Sequence, residues 1–385
     1  MTGIGTRRWI AAALLVVAAT LACDGGSAEL REPRPGRSAE ADTAFANLIA
    51  RLSEPGGHFD TDNLISNEAS YLHVMGRMRT MGVSGGAYIG VGPDQNFSYI
   101  AQIRPEIAYI VDIRRDNLLQ HLFFKALFLG AETRVEYLSL LFGRPLPDDP
   151  GSWAQGDAAA VIGHVRDNPG SEANAAWRVI ERTVTSLGVV LSEEDLEMIR
   201  FIHRSFVSGG VNLRFTSHNR GPQWYYPTFA ELVLERDLEG VRSSYLSSED
   251  DYRFLRRMQV EDRIVPVVGD LAGEHALAAV GSDIERRGLV VSAFYTSNVE
   301  FYLMQDRIFG RFAASASTLP RDGKSVIIRS LFRSLHPQTV AGYRSTQLLQ
   351  TLDHFAGEHQ SGGFGTYEAL VRKGALDLRA GANVP

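Results

Sequence analysis

The feature that most constrains the fold is a pair of short apolar runs separated by a segment with helical signals. The runs are Ala87–Val91 and Ala108–Ile113, inside the stretch GAYIGVGPDQNFSYIAQIRPEIAYIVDIRRDN. Runs of this length, bounded by turn residues, predict buried strands. Between them, Asp94 is expected to cap a short helix that Pro105 ends, because the residue before a proline avoids the α region. A strand–helix–strand unit of this kind predicts a parallel sheet.

The same alternation returns later in the chain. Strands are predicted at Ile264–Val268, Leu289–Phe294 and Ser325–Arg329, and helices at residues 66–79, 274–287 and 299–318. The first two strands alone would not form a stable sheet, so all five are expected in one sheet. The stretch between the two groups of strands has a helical pattern. We therefore predict an α/β fold with a doubly wound, mainly parallel Rossmann-like sheet and a large helical insertion at about residues 131–258.

The first 22 residues predict an export signal. Two arginines precede the apolar run Trp9–Leu21, which has signal-peptide length and is too short to span a membrane comfortably. Cys23, the only cysteine of the chain, follows at the position where a bacterial lipoprotein is lipidated. Residues 23–42 then predict a flexible polar tether, and residues 43–385 the α/β domain. The prediction is an exported, membrane-anchored lipoprotein, periplasmic or at the cell surface. The alternatives are an ordinary secretory signal and a cytoplasmic protein whose start is misread.

Polar residues and glycines follow the ends of four predicted strands. They are Gly90 and Gly92 after the first strand, Asp112 after the second, Asp270 after the third, and Tyr295, Asn298 and Glu300 after the fourth. Because the carboxyl ends of parallel strands meet at one edge of a sheet, these residues are expected to share a ligand-binding crevice. Glycines before a helix let the backbone approach a ligand, and an acid about 20 residues later can accept hydrogen bonds from a ribose.

This order of segments resembles the class I S-adenosylmethionine-dependent methyltransferase fold. Over most of residues 43–335, the segments SEPGGHFDTDNLISNEASYLHV, GVGPDQNFSYIAQIRPEIAYIVDIRRDN, VPVVGDLAG and FYTSNVEFYL are similar to an uncharacterised bacterial lipoprotein-type family with that fold. The resemblance implies S-adenosylmethionine as the cofactor. It implies that Gly90, Gly92, Asp94, Gln95 and Asn96 line its amino-acid part, Asp112 binds the ribose, Asp270 faces the adenine, and Tyr295, Asn298 or Glu300 orients the acceptor.

Several of these residues also have a structural interpretation. The glycines can simply form a tight turn, Asp112 can pair with a nearby arginine, and Asn298 can cap the helix that starts at Val299. Arg114, just beyond Asp112, would instead suit an anionic ligand.

Three functions follow from these interpretations: a lipoprotein that binds a small nucleoside-like or anionic ligand, an active methyltransferase, and a non-catalytic surface interaction protein. Export from the cytoplasm, where S-adenosylmethionine is made, favours a non-catalytic lipoprotein over an active methyltransferase, and the polar residues at the strand ends favour ligand binding. The net charge of −6, with no block of Lys or Arg, excludes the basic surface of a nucleic-acid-binding protein. The ten histidines show no spacing typical of a metal site. The predicted partners are therefore a small-molecule ligand and, through the lipid anchor, a membrane.

Overall fold

The computed structural model describes residues 38–168, 171–217, 223–332 and 336–379. Six strands form its sheet: β1 (Ala87–Gly90), β2 (Ile107–Asp112), β3 (Ile264–Val268), β4 (Val291–Ser297), β5 (Val326–Phe332) and β6 (Ser345–Thr351). Their spatial order is β3-β2-β1-β4-β5-β6. All neighbouring pairs are parallel except β5 and β6, which are antiparallel.

The described residues also contain the α-helices that surround this sheet. They are α1 (Ala39–Leu52), α2 (Met75–Met81), α3 (Gln95–Ile103), α4 (Arg115–Gly130), α5 (Arg134–Phe142), α6 (Ala158–Asp167), α7 (Ala173–Ser186), α8 (Glu193–Gly209), α9 (Phe229–Leu234), α10 (Glu249–Val260), α11 (Ala276–Arg286), α12 (Val299–Gln305), α13 (Phe309–Ser317), α14 (Leu352–Gln360) and α15 (Tyr367–Arg372). Helices α4 to α10 lie between β2 and β3 along the chain.

The structure confirms a mixed α/β fold with a mostly parallel sheet, and this architecture is compatible with a Rossmann-like fold. All five predicted strands form, and β6 is an additional strand that the sequence pattern did not indicate. Helix α1 begins at Ala39, where the side chain of Ser38 accepts a hydrogen bond from the backbone N–H of Ala41. The last residues of the predicted tether are therefore helical.

The core lies on both sides of the central strands. Every residue of β1 and β2 is buried, which explains why these strands read as continuous apolar runs rather than as an alternating pattern. Helix α4 is buried over most of its length because it contacts β2 and β3 as well as α7, α8 and α10. A helix enclosed in this way carries apolar residues on every face.

The predicted signal peptide, Cys23 and most of the predicted tether lie outside the described residues. None of the helices in the described ranges combines the length and the hydrophobicity that a membrane span requires.

Candidate functional site

A cavity of about 350 Å³ opens at the carboxyl edge of the sheet. It lies where the strand order reverses between β1 and β4, and the segments after β1, β2, β3 and β4 line it together with residues from the 53–68 stretch. Seven residues singled out in the sequence line this cavity: Gly92, Gln95, Asp112, Arg114, Asp270, Tyr295 and Asn298. A larger and more open groove beside α12 and α15 contains none of them.

The glycine turn after β1 has a fixed conformation. Gly92 has a φ of +84°, a value that L side chains rarely adopt. Its carbonyl oxygen accepts hydrogen bonds from Nδ2 of Asn117 and from Nε2 of His121, each at 2.9 Å. Burial lowers the pKa of His121 to about 4, so the ring is neutral at physiological pH. Since the Gly92 carbonyl can only accept, the proton of His121 is on Nε2, and α4 holds the turn in place.

Two of the residues predicted to bind the cofactor pack inside the turn instead of lining the cavity. Asn96 is fully buried, donates from Nδ2 to the carbonyl oxygens of Val91 and Pro93, and accepts from the hydroxyl of Tyr88. A Cβ atom on Gly90 would lie 1.9 Å from Oδ1 of Asn96. Gly90 is therefore required for the packing of Asn96 rather than for the approach of a ligand.

Asp94 also lies away from the cavity. It precedes α3, but its side chain makes no capping hydrogen bond, contrary to the prediction. Its carboxylate instead accepts a hydrogen bond of 3.0 Å from the hydroxyl of Tyr245. Burial raises the pKa of Asp94 from 3.8 to about 7. The position at the helix start was predicted, but the neighbouring tyrosine from a distant segment was not.

Glu300 points away from the cavity as well. Its carboxylate accepts a hydrogen bond of 2.5 Å from Nε of Arg329 on β5, and both side chains are almost fully buried. Glu300 thus forms an internal ion pair and does not line the cavity, contrary to the prediction. Asn298 does line the cavity and stands just before α12, but its side chain makes no capping hydrogen bond. The capping interpretation of Asn298 is therefore wrong; its Oδ1 instead accepts a hydrogen bond of 3.4 Å from the hydroxyl of Ser297.

Asp112 and Arg114 form a buried ion pair on the cavity wall, each with only 6% of its side chain exposed. Nε of Arg114 lies 3.1 Å from Oδ1 of Asp112, and Nη2 lies 3.0 Å from Oδ2. The backbone N–H of Arg114 also donates to Oδ1. With three of about four acceptor positions filled, the carboxylate keeps one position on Oδ2 for a ligand. The predicted pairing of Asp112 with a nearby arginine is thus confirmed, and the carboxylate can still accept one further hydrogen bond.

Residues 53–68 close one side of the cavity and are tied to the strand ends. Nη1 of Arg114 donates to the carbonyl oxygens of Thr61 and Asp62, each at 3.1 Å. Glu54 accepts a hydrogen bond from the backbone N–H of Asp270. Four of the five N–H groups of the Arg114 guanidinium are therefore occupied within the protein, and the residue acts mainly as an anchor of this segment.

A residue that sequence reasoning missed, Glu68, lines the same cavity. It is 1% exposed, and its carboxylate accepts hydrogen bonds from Gln95, Tyr295, Ser297 and Gln347. Burial and the nearby Glu68 charge raise the pKa of Tyr295 well above its usual value, so Tyr295 is a hydrogen-bond donor here. The sequence carries no spacing that marks Glu68; its partners come from α3, β4 and β6.

The backbone is strained where β4 meets the cavity. Ser297 has a φ of +52°, which is uncommon for a residue other than glycine. The pairing of β4 with β5 shifts register between Tyr295 and Ser297. This irregularity places the hydroxyl of Ser297 2.5 Å from Oε1 of Glu68. Strain of this kind concentrates at functional sites.

The cavity is rich in negative charge. Four carboxylates line it, those of Glu68, Asp112, Asp270 and Asp306, against one arginine, Arg114. Among the described residues, no group of three His, Cys, Asp or Glu side chains is arranged to hold a metal ion. The site can therefore offer hydrogen-bond acceptors and negative charge to a small ligand.

Comparison with known proteins identifies a family but no characterised relative. A search of curated proteins finds no match to the chain. One family, described as Domain of unknown function (DUF7790), matches residues 64–144 and 215–373. The matched residues make up more than half of the chain and include all six strands and most of the cavity wall. The chain therefore belongs to the DUF7790 family.

Proposed function

We propose that this protein binds a small nucleoside-type ligand, such as S-adenosylmethionine, in the cavity at the carboxyl edge of its sheet. The observation that carries the proposal is that residues from four separate strand ends line one cavity of about 350 Å³. A cavity of this size is typical of small-molecule sites and would enclose a single nucleoside-sized molecule.

The fold that we propose is a doubly wound, methyltransferase-like sheet with a helical insertion. The spatial order β3-β2-β1-β4-β5 and the antiparallel last strand support it. In open sheets of this type, ligands bind where the strand order reverses, which is where the cavity lies. The helices between β2 and β3 far exceed the single helix that a crossover needs, which supports an insertion in that connection.

The charges of the cavity favour a nucleoside-type ligand over an anionic one. Arg114 is committed to Asp112 and to two backbone carbonyls, so it has no pair of donors left for a phosphate or carboxylate. Asp112 retains an acceptor for a ribose hydroxyl, and Asp270 supplies a carboxylate for an exocyclic amine. The neighbouring carboxylates would repel a ligand with net negative charge.

Open space after the glycine turn supports the same proposal. Asn96 and Phe97 would abolish cofactor binding if they filled the cavity, but neither lines it. The ring of Phe97 packs instead against His121, Phe124 and Tyr245. Neither Asn96 nor Phe97 therefore fills the cavity beside Gly92.

The binding test is isothermal titration calorimetry of the protein without its signal segment, using S-adenosylmethionine and S-adenosylhomocysteine in separate titrations. The proposal predicts saturable binding of at least one of them. Absence of heat at millimolar concentrations of both ligands would refute it.

We also propose that the protein acts at a membrane to which lipidated Cys23 anchors it. The support is the apolar run Trp9–Leu21 followed by the only cysteine of the chain. In cell fractionation, wild-type protein should sediment with membranes and the Cys23→Ala variant should become soluble. Equal membrane retention of both proteins would refute lipid anchoring.

A further inference from the structure

Glu68 differs from most other buried carboxylates of the protein. The described residues contain eight buried Asp and Glu side chains, and six of these contact an arginine. The six are Asp112, Asp195, Asp237, Glu249, Asp283 and Glu300. Of the other two, Asp94 bonds to Tyr245 and lies away from the cavity. Glu68 alone combines burial, a place on the cavity wall and the lack of a contacting cation among the described residues.

The hydrogen bonds to Glu68 come from neutral groups and are unevenly distributed. Oε2 accepts from Nε2 of Gln95 at 3.1 Å, from the hydroxyl of Tyr295 at 2.8 Å and from Nε2 of Gln347 at 3.0 Å. Oε1 accepts one hydrogen bond, from Ser297. Since a carboxylate oxygen accepts about two hydrogen bonds, Oε1 has a free acceptor position. A buried carboxylate without a cation is unfavourable, so a group that supplies positive charge would stabilise it.

The cavity that Glu68 lines also contains aromatic side chains that suit a cation. Tyr295 and Tyr302 line the same cavity, and the ring of Phe59 contacts Tyr302 edge to face with 4.9 Å between centroids. Aromatic faces attract ammonium and sulfonium groups, particularly away from water. The strained backbone of Ser297 keeps its hydroxyl on Glu68, so the carboxylate is held in one orientation.

We propose that Glu68 binds the positively charged group of the ligand, a sulfonium or quaternary ammonium centre. This inference rests on the proposed function, because it takes the cavity as the ligand site. It adds the chemistry of recognition: the ligand is cationic at the end that faces Glu68. Ligand binding then supplies the charge that the free protein lacks at this position.

The test compares ligand pairs that have similar structures and differ in one positive charge. In the first pair, S-adenosylmethionine carries a sulfonium centre that is an uncharged thioether in S-adenosylhomocysteine, while both keep the α-ammonium. The second pair is choline and its uncharged isostere, in which carbon replaces the quaternary ammonium nitrogen. Thermal shift and calorimetry are performed on the wild-type protein and on Glu68→Gln. We expect the wild type to bind the more positively charged member of each pair more tightly. In Glu68→Gln, the ratio of the two affinities should fall by about tenfold or more.

Asp306→Asn provides a charge-matched control, since Asp306 lies on the exposed rim of the same cavity. We expect this variant to retain most of the preference, because water screens a charge on the rim. An equal loss in Asp306→Asn and Glu68→Gln would overturn the inference, since the total charge of the cavity would then explain both. Unchanged preference in Glu68→Gln would overturn it directly.

The two pairs separate this inference from the proposed function. Preference for choline without binding of either adenosyl ligand would refute the proposed function and support the role of Glu68. Equal binding of the two adenosyl ligands, with no preference for choline over its isostere, would support the proposed function and refute the role of Glu68. If Glu68→Gln does not fold, Glu68→Asp is measured instead: withdrawing the carboxylate by one methylene should weaken the preference, and an unchanged preference would overturn the inference.

Discussion

Replacement of Arg114 by methionine tests whether the ion pair on the cavity wall holds the site together. Methionine keeps most of the apolar stem and removes the guanidinium, which donates two hydrogen bonds to Asp112 and one each to the carbonyls of Thr61 and Asp62. The change leaves a buried carboxylate unpaired. Loss of one partner of a buried pair costs about 3–5 kcal/mol, so we expect the free energy of unfolding to fall by that amount.

Two further variants test the reasoning behind this value. Arg115 also forms a two-point pair, with Asp195, but 48% of its side chain is exposed. Although Asp195 is buried beneath it, this carboxylate keeps the backbone N–H of Ser192 and becomes accessible to water when the guanidinium is removed, so Arg115→Met should cost about 1 kcal/mol or less. Adding Asp112→Asn to Arg114→Met removes the stranded charge. The double variant should therefore be more stable than Arg114→Met alone, by about 1–3 kcal/mol.

The assay is urea unfolding followed by circular dichroism, with the midpoint and the slope fitted for each variant. Similar losses of stability in Arg114→Met and Arg115→Met would refute the claim that burial makes the Asp112–Arg114 pair important. A double variant less stable than Arg114→Met would show that the unpaired carboxylate is not the source of the loss.

Two other predictions concern the segment after β1. Gly92→Ala should weaken ligand binding by about tenfold or more, because a left-handed φ is unfavourable for alanine and the turn would shift. Gly288→Ala is its control: Gly288 has a φ of +69° and nothing within 4 Å of an added Cβ, so similar strain should leave binding unchanged in calorimetry. Equal binding by both variants would contradict a role for the turn. Because the pKa of Asp94 is raised to about 7, its carboxyl group binds a proton more tightly in the folded protein than in the unfolded chain. This stabilisation is complete below pH ~4 and is lost as the pH rises to about 7. Asp94→Asn should therefore gain about 3 kcal/mol relative to wild type between pH ~5 and ~8 in urea unfolding, and a constant difference across this range would contradict the assignment.

The sequence pattern predicts the parallel strands well because they are buried on both faces. Ile89 and Tyr109, for example, are neighbours on β1 and β2 and are fully buried, so their segments contain unbroken apolar runs. β6 does not follow this pattern, although it is also buried. Its Gln347 and Gln350 are inside the protein because they form hydrogen bonds with Glu68 and with Arg329. A strand with buried polar residues reads as a surface loop when its partners are unknown.

The same distinction applies to the candidate site. Gly92, Asp112 and Asp270 were identified because strand topology alone brings their positions together. The role of Glu68 depends on side chains from distant segments, which no local pattern describes. Residues 66–79 are predicted as one helix, but the structure contains a short turn of 3₁₀ helix at Tyr71–Val74 followed by α2. Glu68 lies before that turn, in a segment whose conformation depends on tertiary contacts.

Hydrogen–deuterium exchange with and without S-adenosylmethionine tests the central claim most directly, which is that four strand ends form one ligand site. We predict slower exchange on ligand binding in the segments around Gly92, Arg114, Asp270 and Asn298, and in residues 53–68 that cover them. No change in these segments, or protection confined to the larger groove beside α12 and α15, would contradict the account.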